Sequence, residues 1–327
     1  MTSAPSNFVS EFLDLAPVRH IDKWLHAMPH PPMAVEIAPT HVAAARWRRA
    51  RGSLESFAVE EIGSGAISPS PLEANIVNAD AVRGALRRVF AHVSHRSGNL
   101  ALLIPDPAAR VFILPFDTFP RRAEEALPLL RWRLKKSVPF DVEETTISWT
   151  RQAGPDGSLE IVASVARQKI IREYEELIES LGAHPGVVIS SSLSALSLLE
   201  DRGATLLVRM VGRALTTVVV QGGRLCVYRT SDMATASGLL DPQFVLDEIF
   251  PALAFFQDTS GGSVDRVRIS GFGAREEIFR RALSEELKCP VDPVSQAEGA
   301  RSLDAEEKDI VTRGLEPLAG WMHGGGA

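Results

Sequence analysis

Apolar and polar residues follow a strand pattern over Ala34–Ile37, Val42–Trp47 and Leu54–Ile62, which predicts three consecutive antiparallel strands with turns between them. The period then lengthens. Over Ala79–His92, Val82, Leu86, Val89 and Phe90, followed by Val93, form one helical face. Leu100–Ile104 and Arg110–Leu114 read as strands, Ile161–Ala166 as another, Gln168–Leu181 as a helix, Pro185–Ile189 as a strand and Ser194–Leu199 as a short helix. After residues 200–203 the pattern begins again. Thr205–Met210, Leu215–Gln221 and Leu225–Thr230 repeat the three-strand meander, with Gly222-Gly223 as a hairpin turn. A helix at Pro242–Gln257, a strand at Val264–Ile269, a helix at Arg275–Leu287, a short strand at Val291–Val294 and a terminal helix at Ala305–Met322 follow.

The stretch Val111–Trp149 is the most specific part of the chain. Pro115 has no N–H to give a ladder and closes a strand. Thr118 is placed to cap a helix starting near Pro120, in which Ala123, Leu127, Leu130 and Leu134 share a face. Pro128 falls inside that stripe and implies a kink or a late start. Pro139 pushes the residue before it out of the α region, so the helix is expected to end at Val138. Trp132, on the same helix, reads as a core residue first and a groove residue second.

At 327 residues, with 45% hydrophobic and 23% charged residues, the chain is long enough for two lobes with separate cores and is not of disordered or fibrous composition. A net charge of −6 argues against general nucleic-acid binding. Two cysteines, Cys226 and Cys289, fit a reducing compartment. No run is long enough for a membrane span and no secretory leader is evident, so a cytoplasmic protein, held to a membrane only through partners, is expected. Residues 1–30, with Phe8, Phe12, Leu15 and Leu25, read as a helical extension or tail, and residues 323–327 as an unstructured end.

The order Leu-Pro, helix, aliphatic-Pro-Phe, strand resembles the PilM family of pilus-assembly proteins, actin-fold relatives of the cell-division protein FtsA. The resemblance runs from about Met33 to Trp321 through AVEIAPTHVAAARW, LIPDPAARVFILPF, LRWRLKKSVPFDVEETTISW, TTVVVQGGRLCVYR and RVRISGFGAREEIFRRALSEELKCPV. It implies an α/β fold of actin-like (ribonuclease H-like) duplicated lobes, over residues 31–203 and 204–322. An inserted α+β subdomain at about 100–166 would interrupt the first lobe. It also implies a partner, the cytoplasmic N-terminal tail of a PilN-like inner-membrane protein, in a groove for which Phe112, Leu114, Trp132, Val138 and Phe140 are candidates by location. Other pilus-platform or motor components are further partners on this reading. The place of action would be the cytoplasmic side of the inner membrane.

A site of this fold grips phosphate with one hairpin turn from each lobe, and an aspartate positions the metal. The resemblance places Glu36, Thr40, Gly212, Gly271, Gly273 and Ala274 at the nucleotide positions, with ATP and Mg²⁺ as the implied cofactors. The turns depart from the family pattern. Glu36-Ile37-Ala38-Pro39 replaces an aspartate-x-glycine-serine turn, losing a glycine and a backbone donor, and Arg209-Met210-Val211-Gly212 carries an arginine where an aspartate is expected. ATP hydrolysis is therefore not expected, and no catalytic or metal-ligating residue is assigned. A scaffold is the first expectation. A nucleotide-dependent switch or ATPase, and a component like GspL of type II secretion, are the alternatives. His92 and His95 have metal-ligand spacing without further ligands. Ser190–Ser192 reads as helix capping, Arg46–Arg51 as a solvated basic turn, and Arg131, Arg133, Lys135 and Lys136 as a basic helix end.

Overall fold

A computed structural model describes residues 30–48, 53–93, 98–200, 202–234 and 240–324. The expected N-terminal extension, the tip of the Arg46–Arg51 turn, His95 and residues 325–327 lie outside them. No helix among the described residues is long and apolar enough to cross a membrane.

The first half opens with β1 (Met33–Ile37), β2 (His41–Arg48) and β3 (Ser53–Glu61), an antiparallel meander. It continues through α1 (Ala79–His92), β4 (Asn99–Ile104), α3 (Gln168–Glu179), β8 (His184–Ser190) and α4 (Ser191–Ala195). Between β4 and α3 come β5 (Arg110–Phe116), α2 (Ala123–Leu134), β6 (Thr145–Ala153) and β7 (Leu159–Arg167). The second half repeats the plan with β9 (Ala204–Val211), β10 (Ala214–Gln221), β11 (Arg224–Asp232), α5 (Pro242–Ser260), β12 (Arg266–Ser270), α6 (Glu276–Leu287) and β13 (Val291–Pro293). Three short helices close it, α7 (Glu298–Ser302), α8 (Ala305–Thr312) and α9 (Glu316–His323). The two large sheets have the same topology. Their orders are β3-β2-β1-β4-β8 and β11-β10-β9-β12-β13, each with an antiparallel meander and two parallel strands.

Period-two alternation divides the faces. On β1, Val35 and Ile37 enter the core under α1 and α3, while Ala34 faces the other lobe, as Glu36 must by the same alternation. On β9, Leu206 and Val208 face α5 and α6, while Leu207 turns toward the first lobe and Arg209 shares its side. A core between the lobes therefore unites Ala34, Trp47, Leu193, Leu207, Val218 and Trp321.

The third sheet, β5-β7-β6, carries α2 on one face. Its other face, with Val111, Ile113 and Val162, packs into the core between the lobes. Gln152 of β6 fixes this docking. Its amide nitrogen donates to the Leu225 carbonyl at 2.7 Å, and its carbonyl accepts from the Leu225 N–H at 3.2 Å. One side chain thus mimics a ladder rung on the outer edge of β11.

Several expectations change. Leu100–Ile104, expected to open the inserted subdomain, is a central strand of the first sheet, buried along its length and parallel to both β1 and β8. The separate sheet begins only at β5. Thr118 does not cap α2, which starts at Ala123 with no side-chain cap. Pro120 disfavours the α region at Phe119, and Arg151 Nη2 holds the Phe119 and Pro120 carbonyls at 3.1 and 2.6 Å. The helix ends at Leu134, before Val138. The terminal helix is broken into α8 and α9, because Gly314 adopts φ +79° and the Leu315 N–H closes back on the Ile310 carbonyl. After the break α9 leaves the second half and packs on α4. Ser194 and Ser197 hydroxyls donate to the Pro317 and Gly320 carbonyls at 2.8 and 2.6 Å.

Candidate functional site

Glu36 and Arg209 occupy corresponding places on β1 and β9, the central strands of the two sheets, and they face each other across the gap between lobes. Both are buried, with 0% and 2% of their surface exposed. Arg209 Nη2 donates to Glu36 Oε1 at 3.1 Å, and Nε donates to Glu316 Oε1 at 2.5 Å. Nη1 lies 3.9 Å from Asp106 Oδ2. One guanidinium thus serves three carboxylates, drawn from β1, the turn after β4, and the start of α9.

Asp106 ties the halves together. Oδ1 accepts from the Ser192 N–H and the Tyr228 hydroxyl, both at 2.9 Å. Oδ2 accepts from the Ser192 hydroxyl at 2.5 Å and the Thr216 hydroxyl at 2.7 Å. Ser192 belongs to the first half, Thr216 and Tyr228 to the second. Burial pushes the Tyr228 hydroxyl well above its ordinary pKa, and Asp106 reinforces the shift, so it stays a donor. Glu316 also accepts from Ser270 Oγ at 2.8 Å.

The electrostatics favour the charged forms. Burial works against ionisation of Glu36, but the His41 imidazole, 3.6 Å away, and the Arg209 guanidinium hold its carboxyl below the usual range. Burial likewise opposes the guanidinium. Glu316, Glu36 and Asp106 outweigh it and raise the Arg209 pKa.

The residues placed at nucleotide positions fall as follows. Glu36 lies in this ion cluster. Thr40 is exposed, its hydroxyl 3.0 Å from His41 Nδ1. Gly212, at φ +59°, meets Pro39 of the opposite turn so closely that a Cβ there would stand 3.2 Å from the Pro39 Cβ. Gly271, at φ +85°, lies directly against the Met210 carbonyl. Gly273 and Ala274 form the exposed turn before α6. The two hairpins therefore touch, and the space left among Pro39, Asp106 and Arg209 is about 10 Å³, enough for one water at most. A triphosphate with its metal does not fit this arrangement. The approach that phosphate needs is filled by Pro39 against Gly212, and the place of a cation among carboxylates is taken by a side chain.

Of the groove candidates, Phe112, Leu114, Val138 and Phe140 come together in one apolar cluster between α2 and the third sheet. Trp132 does not join them. It is 72% exposed, which overturns its reading as a core residue. Asp106, Glu316, Thr216 and Tyr228 were not anticipated, and of the serines read as helix capping, Ser190 makes no side-chain cap while Ser192 donates to Asp106. The available signal was Asp106 immediately beyond an apolar run ending in Ile104-Pro105.

No protein-family model and no curated protein sequence matches the chain. Among solved structures, the PilM–PilN type IV pilus biogenesis complex is similar over 91% of this chain and 99% of the matched chain, at 15% identity and a TM-score of 0.72. A Bacteroides thetaiotaomicron protein with an actin-like ATPase fold and unknown function is similar over 87% and 94%, at 11% identity and a TM-score of 0.51. The chain has the actin-like fold. In that frame β1–β2 and β9–β10 are the equivalent hairpins of the two lobes, and the Glu36–Arg209 pair bridges them.

Proposed function

We propose that this chain is a non-catalytic actin-fold scaffold of a type IV pilus or related inner-membrane secretion platform. It binds the cytoplasmic N-terminal tail of a PilN-like membrane protein, and so lies at the inner membrane through that partner. The observation that carries the non-catalytic part is the ion cluster around Arg209. In a buried site of low dielectric, a guanidinium paired at 3.1 and 2.5 Å to Glu36 and Glu316 opposes the entry of a divalent cation beside it. The PilM–PilN complex, as the similar structure, supports the partner. So do the cluster of Phe112, Leu114, Val138 and Phe140 and the strand β5, whose one ladder partner among the described residues is β7. An extended peptide is taken by such features through backbone pairing and side-chain pockets.

Two titrations test the reading. The cytoplasmic N-terminal peptide of a PilN-like membrane protein from the same genome should bind the whole chain in the micromolar range, and absence of binding up to high micromolar concentration would refute the partner. Millimolar ATP with Mg²⁺ should leave the thermal midpoint unchanged. A ligand at a hundred times its Kd would add about 2.7 kcal/mol by mass action, so a clear rise would return the chain to the nucleotide-dependent switches.

A further inference from the structure

The outer face of α2 presents an unusual combination of residues. Ala126, Leu130 and Leu134 are its buried side, and at about 100° per residue the crest opposite them is Trp132. Pro128 precedes Trp132 by one turn, and Lys135 and Lys136 follow it by one turn, so these four share the solvent side, while Leu129 is half-buried against the cluster under the helix. Between residues 121 and 136 there are six cationic side chains against two carboxylates, Glu124 and Glu125. The whole chain carries −6, so the local excess is of opposite sign to the protein. Arg131 is taken by Glu143 at 3.3 Å. Arg121, Arg122, Arg133, Lys135 and Lys136 are exposed, and none of them has an ion-pair partner among the described residues. The nearby Glu144 is paired with Arg167 at 3.5 Å.

We propose that this face of α2 docks directly on the anionic headgroup layer of a membrane. A lone indole raised among unpaired lysines and arginines matches a bilayer interface, where the ring sits at headgroup depth and the cations meet lipid phosphates. It matches a protein partner poorly, because a stable protein interface buries a core of several apolar side chains, and here Trp132 stands with only Pro128 and the half-buried Leu129. The contact does not depend on the peptide partner, and it would orient the inserted subdomain toward the membrane.

Co-sedimentation of the whole chain with vesicles tests it. Binding should be strong to phosphatidylcholine vesicles containing about a third phosphatidylglycerol and weak to phosphatidylcholine alone. It should fall steeply between about 0.1 M and about 1 M salt. The double substitution Lys135→Glu with Lys136→Glu should weaken it by roughly 30-fold or more, as expected for losing two cations at a charged surface. Trp132→Ala should weaken it severalfold, with thermal midpoints unchanged in both because these side chains are exposed. Absence of vesicle binding, equal binding to neutral and anionic vesicles, or lysine variants that bind like the parent would each overturn the proposal.

Discussion

Arg209→Met is the most informative perturbation of the cluster between the lobes. Methionine keeps much of the stem volume and removes the charge, leaving Asp106 and Glu316 without an ion-pair partner among the described residues at 4% and 1% exposure, and Glu36, at 0%, with only the His41 imidazole 3.6 Å away. Removing one partner of a buried pair costs about 3–5 kcal/mol, because the remaining charge must be desolvated alone. At about 1.5 °C per kcal/mol for a chain of this size, the midpoint should fall by roughly 4–7 °C. The loss should also depend on pH, with a sign that can be fixed. In the parent, the Glu36 carboxyl is held below its ordinary value, so its contribution is present above the unfolded pKa and is lost as pH falls through the folded one. In the variant, burial acts without the guanidinium and the carboxyl pKa rises. With His41 as its one remaining charged neighbour, Glu36 gains less from ionising in the folded state, so the parent gains more stability than the variant as pH rises toward neutrality. Scanning calorimetry at pH 5 and pH 8 should therefore find the larger deficit at pH 8. Adding Glu316→Gln should restore part of it, since the amide still accepts from Ser270 while one uncompensated charge is gone. A deficit below about 1 kcal/mol, or one equal at both pH values, would refute the view that Arg209 is the electrostatic centre of the closure.

Gln152→Ala leaves both the N–H and the carbonyl of Leu225 without their partner, and urea denaturation should show a loss of about 1–3 kcal/mol. Gly271→Ala forces a Cβ into the Met210 carbonyl from a left-handed backbone and should cost at least about 2 kcal/mol or abolish soluble expression. Gly273→Ala meets open space and should cost about 1 kcal/mol, so equal effects in thermal melts would contradict the close approach described at Gly271. Burial pushes the Cys226 thiol up to about 11, so at pH 8 a disulfide reagent should label Cys289 alone in the native protein and both thiols in denaturant. Fast native labelling of Cys226 would mean that β11 separates from its neighbours.

The duplication of the fold was legible because its signals are local. Alternation in the two meanders, Gly222-Gly223 and the helical stripe of Val82, Leu86 and Val89 each declare an element within a few residues. The break at Gly314 was equally local and was overridden by the apolar period on either side of it. Trp132 was misjudged on residue type. Its position relative to Ala126, Leu130 and Leu134 already put it on the opposite face, and the phase was the better guide. The ion cluster was only half legible. Glu36 and Arg209 stood out separately as departures at two turns, but they are 173 residues apart and their pairing exists only once the lobes face each other. Glu316 gave no sign at all, because its partners Arg209 and Ser270 lie 107 and 46 residues away in the chain.

The packing of α9 on the first half has a consequence for synthesis on the ribosome. Trp321 is fully buried, its indole N–H donates to the Pro31 carbonyl at 3.3 Å, and its ring stacks on His30 at 4.1 Å. The wall behind β1 is thus supplied by residues that emerge some 290 positions later. The N-terminal half cannot complete itself while it waits in the exit tunnel's shadow. A nascent chain stopped shortly before α9 should leave the earliest strands open to protease, although every residue of their own sheet has been made.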